Sequence, residues 1–212
     1  MSSGNVYERL FRLQATVSKL VLDGKRDPEK VAAVLQMIVN VAGYDTGPAE
    51  KFALLVDLDE ITVPDDYNHA TALAKFIKKN RQKFSVNDDI TDANFPNPSR
   101  VLKPGQKLRV RAFKQVVNGA TTSEERMTFL ATQKAVHTGA QGASLAFEQK
   151  RDQLPKGEWY ASFDEPERLW TDADGNCMVP YIRAELDGSF RWHLDFFKDF
   201  CAINDAFLCF TE

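Results

Sequence analysis

Apolar residues recur three to four positions apart at Val6, Leu10, Leu13, Val17, Leu20 and Val21, the stripe of an amphipathic helix over Tyr7–Leu22. Gly24 follows, where a left-handed residue closes a helix. Asp27 then predicts a cap, with Pro28 at the first helical position and Glu29 in the first turn. Val31, Val34, Leu35, Ile38 and Val41 form the second stripe, and Gly43 stops it. The two make an N-terminal helical hairpin. Phe52–Val56 reads as a short buried strand, and Asn68–Phe84 as a helix that packs Leu73, Phe76 and Ile77. Ser85–Arg100 is rich in Asn, Asp and Pro and predicts a long connection or linker.

Strict alternation begins at Lys107. Leu108, Val110 and Ala112 share one face and Lys107, Arg109 and Arg111 the other, so a strand is expected over Lys107–Phe113. Thr122 and Glu125 have the spacing of a capping box. The helix they start is expected to run to about Val136, to bury Met127, Leu130, Ala131 and Ala135, and to end at Gly139–Gly142. Ala143–Gln149 and Glu158–Phe163 read as strands, and Glu165–Trp170 as a helical turn. Val179–Glu185 and Ser189–Leu194 form a hairpin across Asp187-Gly188. Phe207–Phe210 closes the chain as a strand. The pattern implies an α+β protein with a mixed, mostly antiparallel sheet, divided into a helical docking region over 1–90 and a binding domain over 91–212.

Charge changes this picture in the middle. Residues 75–114 hold 11 Lys and Arg against 3 Asp, while the chain as a whole carries −3. Lys75, Lys78, Lys79, Arg81 and Lys83 on the helix, with Lys107, Arg109 and Arg111 on the strand, could contact phosphate. The alternative is a solvated face paired with acids of a neighbouring strand. A nucleic-acid or nucleoprotein accessory role is the second functional reading.

Catalytic signals are sparse. Asp57 and Asp59 end the first strand in the manner of haloacid-dehalogenase phosphatases, but Ile61 stands where that signature has Thr or Val. Asp172-Ala173-Asp174-Gly175 begins like a calcium loop, yet position 12 is Arg183, so a turn is expected. Three cysteines, Cys177, Cys201 and Cys209, without a Cys-x-x-Cys pair, predict reduced thiols. No cofactor or metal is expected, nor an enzyme. The N-terminal stretch lacks the uninterrupted apolar run of a secretory signal, and no run is long enough to cross a bilayer, so a cytoplasmic protein without membrane contact is expected.

The richest segment is Gly188–Phe210. It interleaves Phe190, Trp192, Phe196, Phe197, Phe200, Phe207 and Phe210 with Arg191, His193, Asp195, Asn204 and Asp205. Such a mixture suits a recognition surface, since aromatics supply contact area at low entropic cost.

The stretches 22–32, 91–116 and 139–165, with Leu208-Cys209-Phe210, resemble a group of uncharacterised proteins from candidate-phylum bacteria with reduced genomes. More loosely, the order after residue 100 and the aromatic carboxyl end are similar to C-type-lectin-like domains. Some of those are variable proteins of diversity-generating retroelements, in which adenine-directed mutagenesis varies chosen surface positions. That resemblance implies a C-type-lectin-like fold, a protein ligand and variable contact positions. Asn176, Cys177, Arg183, Arg191, His193, Phe196, Ala202, Ile203, Asn204 and Asp205 belong to the residue set such mutagenesis yields, with Trp192, Leu194 and Leu208 as frame.

Overall fold

The structure, a computed structural model, describes residues 16–25, 27–28, 31, 51–82, 84–117, 120–198, 201 and 205–212. The chain divides into two compact units, Met1–Thr46 and Gly47–Glu212. In the first, residues 16–22 are helical. Gly24 closes that helix at φ +67°, with Gly24 N–H donating to Val21 and Lys25 N–H to Leu20. The rest of the expected hairpin, apart from a few residues, lies outside the described residues.

The second unit is α+β, built on one mixed sheet of eight strands. The strands are β1 (Phe52–Thr62), β2 (Phe84–Val86), β3 (Lys107–Gln115), β4 (Trp159–Ala161), β5 (Trp170–Thr171), β6 (Cys177–Ala184), β7 (Phe190–Phe196) and β8 (Asp205–Thr211). Their order is β1-β3-β8-β4-β6-β7-β2, with β5 paired to β6. The β4–β8 and β2–β7 pairings are parallel and the others antiparallel. β1 and β2 are strands of this same sheet, so the division expected between residues 90 and 91 falls inside the second unit.

The helices are α1 (Ala72–Asn80), α2 (Ser123–Thr132) and α3 (Gly139–Lys150). Leu73 and Phe76 of α1 and the buried residues of α3 join Leu108, Val110, Tyr160, Ile182, Trp192 and Phe210 in one core. Phe129 and Leu130 of α2 join Phe52, Phe113, Phe163, Tyr181 and Phe207 in a second, formed by the other face of the sheet. β1, β3, β4, β6 and β8 therefore feed two cores by alternation, whereas β7 feeds only the first and exposes its other face.

Several expectations change. The helix expected over 68–84 is a 3-10 turn (His69–Thr71) followed by α1, and Phe84 belongs to a strand. Asp92 sets the start of α1 from outside it, accepting from Leu73 N–H (2.9 Å) and Ala74 N–H (3.0 Å). The 85–100 stretch is not a loose linker, because Ile90 and Phe95 are buried in the first core. β1 runs longer than Phe52–Val56 and is no buried strand: it forms an edge, and Leu54 is 52% exposed. The capping box holds, with Thr122 and Glu125 exchanging both bonds, but α2 ends at Thr132 and leaves Ala131 exposed.

The largest correction is α3. Gly139–Gly142 begin a helix rather than end one, and Ala143–Gln149 is helical rather than extended. Every residue from Gly139 to Phe147 is buried. A helix enclosed all round carries no polar stripe, so its 3.6 period is invisible in sequence. Gly142 is required at its closest approach: a Cβ there would meet Thr138 Oγ1 at 1.8 Å.

Candidate functional site

The β6–β7 hairpin closes on the turn 185–188. Gly188, at φ +83°, donates its N–H to Glu185 O at 3.1 Å, and Asp187 Oδ1 accepts from Ser189 N–H. This closure sets the register and brings Arg183 directly opposite Arg191. Register then continues across the sheet. Trp159 of β4 stands opposite Arg183, Asp205 of β8 beside Trp159, and Ser85 of β2 beside Arg191. Asp205, Trp159, Arg183, Arg191 and Ser85 thus form one lateral row on one face. One step along the strands, His193 lies opposite Tyr181.

The row has a definite electrostatic structure. The Arg183 guanidinium lies 5.4 Å from the centroid of the Trp159 ring, and the His193 ring lies 6.3 Å from it. Two arginines directly opposite one another repel. Glu185 offsets this, lying 3.2 Å from Arg183 Nε and 3.0 Å from Arg191 Nε. One carboxylate between two guanidiniums leaves one positive charge uncompensated within this trio. Arg191 and His193 are exposed, while Trp159 and Arg183 are half-buried. Such a row can accept a carboxylate from a ligand while the indole gives apolar contact.

Of the residues singled out in the sequence, Arg183, Arg191, His193 and Asp205 are brought together here. Phe196 is 41% exposed but falls, by alternation, on the opposite face from His193. Phe197 is buried in the second core. Asn176 serves the turn before β6, where its N–H and side-chain amide donate to Asp172. Cys177 pairs with Thr171 at the far end of β6. Ala202, Ile203 and Asn204 lie outside the described residues. Trp159 was missed. Its signal was present, since it alternates with the core residue Tyr160, but three residues are too short to assign an exposed face.

The basic positions are scattered and largely answered. Lys107 pairs with Glu60 at 2.7 Å and Arg109 with Asp57 at 2.6 Å, both acids of the neighbouring β1. Arg111 lies over the Phe113 ring at 5.4 Å. Lys75 is 4.0 Å from Asp66, and Lys79 pairs with Glu148. Lys83 lies outside the described residues. Lys78 and Arg81 flank a hollow of about 550 Å³.

Asp57 is held below the usual carboxylate range, chiefly by its hydrogen bond from Arg109. That engagement leaves it poorly placed as a nucleophile. Asp59 occupies a bulge at φ +58° and is exposed. Among the described residues no group of three or more His, Cys, Asp and Glu could hold a metal ion. Asp172 accepts from the backbone of Asp174 and Asn176, as a turn residue does. Cys177, Cys201 and Cys209 are free thiols.

Sequence also gave no sign of Asp164. It is 2% exposed and lies against the start of α3. Its carboxylate accepts from Ser99 Oγ, from Ser99 N–H (3.1 Å) and from Glu165 N–H (2.8 Å). Burial raises its pKa, and the Ser99 and Glu165 bonds pull it back. With Gln141 Nε2 donating to Phe95 O and Arg100 N–H to His137 O, it clasps the 95–100 stretch to α3. No helix of the described residues is long and apolar enough to cross a membrane. No protein-family model, curated protein or solved structure matches the chain.

Proposed function

We propose that this chain is a non-enzymatic binding protein that offers the Asp205–Trp159–Arg183–Arg191 row, with His193, to a protein ligand. The observation that supports it is the row itself. Three strands in register, β4, β6 and β7, deliver an indole, two guanidiniums and an imidazole to one face of the sheet. Sites built on strands are positioned more precisely than sites on loops, and Trp and Arg recur as interface anchors. The partner's contribution is an acidic side chain set between Arg191 and His193.

A C-type-lectin-like architecture with a varied carboxyl-terminal face belongs to the same proposal, as does an N-terminal helical hairpin over residues 7–41. The antiparallel pairing of β3 with β8, the first and last strands after residue 100, supports it, as do the helices that follow β3. The three free thiols favour a cytoplasmic setting. The nucleic-acid reading receives less support, because the β3 cations Lys107 and Arg109 already face acids of β1.

The test is affinity capture from host lysate with the wild type and an Arg183→Ala/Arg191→Ala/His193→Ala variant of matched thermal stability. A protein retained by the wild type and lost by the variant supports the reading. Equal retention of the same material by both overturns it.

A further inference from the structure

Among the described residues the sheet ends at β2. β2 pairs with β7 in parallel, Ser85 opposite Arg191 and Val86 opposite Trp192. Asn87 N–H donates to Trp192 O at 2.9 Å. In a parallel ladder only alternate residues face the partner strand, so Ser85 and Asn87 bond to β7. The N–H and C=O groups of Phe84 and Val86 therefore point outward, where no further strand follows among the described residues. Unpaired strand groups of this kind are a template for another strand.

Space and chemistry lie beside this edge. On the α1 side lies the hollow of about 550 Å³, with Ile77, Phe84, Val86 and Ile90 as apolar lining, Lys78 in its α1 wall and Arg81 just past the end of α1. A second hollow of about 540 Å³ lies at the start of β2, lined by Gln82, Phe84, Ser85, Ser189, Phe190 and Arg191. Side chains of an added strand alternate in direction, so one set faces the hollow under α1. The ion pairs of α1 belong to Lys75 and Lys79, and neither Lys78 nor Arg81 has one among the described residues. Of the two acids in the first hollow, Asp92 accepts from the amides that start α1, and neither Asp88 nor Asp92 forms an ion pair with Lys78 or Arg81 among the described residues.

We infer that β2 is a docking edge for an extended acidic peptide segment of a partner protein, which adds as a strand beside Phe84–Val86. Its backbone bonds to Phe84 and Val86. Alternate apolar side chains fill the hollow under α1, and its carboxylates meet Lys78 and Arg81. The inference rests on the β2 backbone edge and on Lys78 and Arg81, cations outside the Trp159–Arg183 row, while Ser85 stands on this strand beside Arg191 of the row.

The test uses the full-length, ¹⁵N-labelled chain and two blocked heptapeptides, Thr-Val-Glu-Val-Glu-Val-Thr and its Lys counterpart Thr-Val-Lys-Val-Lys-Val-Thr. The Glu peptide is expected to shift the amide signals of Phe84, Ser85 and Val86. Its affinity should fall about tenfold in Lys78→Glu/Arg81→Glu, where attraction becomes repulsion, and stay unchanged in Arg183→Ala/His193→Ala. Both variants alter side chains with a solvent-facing part, so each is accepted only when its remaining spectrum overlays the wild type. The inference is overturned if the Lys peptide binds as tightly as the Glu peptide or if neither shifts the β2 amides at millimolar concentration. Shifts confined to the signals around Arg183 and His193 overturn it too, and so does an oligothymidylate that occupies β2 more tightly than the Glu peptide. The row proposal survives each of these results, and the β2 site survives failure of the row.

Discussion

Replacing Gly142 with alanine tests the assignment of 139–150 as an enclosed helix. In an exposed helix this change stabilises by about 1 kcal/mol, because alanine is the better helix former. Here the new Cβ would lie 1.8 Å from Thr138 Oγ1, 2.5 Å from Thr138 Cβ and 3.4 Å from Phe210 Cζ. Rotating Thr138 moves its hydroxyl but not its Cβ, and Thr138 is buried. Thr138 is the N-cap of α3, so the backbone of its first turn must open to separate the two residues. Overpacking of this kind costs about 1–3 kcal/mol, and more when backbone must move. Subtracting the propensity gain leaves a net loss of up to about 2 kcal/mol. Urea denaturation followed by tryptophan fluorescence reads the right unit, since Trp159, Trp170 and Trp192 all belong to Gly47–Glu212. With a slope of about 2 kcal/mol/M the midpoint falls by up to about 1 M. Thr138→Gly removes both clashing side-chain atoms, so Gly142→Ala in that background should cost nothing further. A midpoint that rises in the single variant would refute the close approach of Thr138 to Gly142 at the start of α3.

Two other perturbations probe the elements that hold the site. Asp164 has a raised carboxyl pKa because of burial. An acid that binds its proton more tightly when folded loses its contribution to stability as pH rises from the ordinary carboxylate range through the raised value. Asp164→Asn should therefore gain on the wild type from pH 4 to pH 7 in parallel denaturation curves, and a constant gap would contradict a buried, desolvated carboxylate. Thr122→Ala removes half of the capping box at α2 and should cost about 1 kcal/mol. An unchanged denaturation midpoint would mean that the box does not hold the start of α2.

Legibility in the sequence followed exposure. β3 was readable because one face meets the core and the other meets acids of β1, so Leu108, Val110 and Ala112 alternate with cations. The β6–β7 hairpin was readable because its turn needs Asp187-Gly188, and Gly188 does take a positive φ. The capping box at Thr122 was readable because it is local chemistry. Buried α3 was not, since small and apolar residues on every side erase both periods. β2 was not, because Phe84-Ser85-Val86 is too short to separate from the end of α1. The candidate row was half legible. Arg191, His193 and Asp205 stood out by composition and Arg183 through the residue set that the resemblance implies, but that three of the four share one row with Trp159 depends on register between strands far apart in sequence.

The two ends of the sheet are built differently, and the difference bears on function. β1 is a long edge of eleven residues, the kind that invites unwanted pairing. It is interrupted by register shifts between Leu54 and Val56 and between Asp57 and Glu60. Asp57, Asp59 and Glu60 place three carboxylates on it, and the positive φ of Asp59 bends it further. Each of these features blunts an edge. β2 has none of them: Phe84-Ser85-Val86 carries no charge, no proline and no register shift, and it lines two hollows. A sheet defended at one end and left open at the other, beside a pair of cations without described partners, is what selective strand addition requires. The same contrast sets a direction for tests of aggregation and binding alike. Replacing Asp57 and Glu60 should promote self-association through β1 without altering peptide binding at β2.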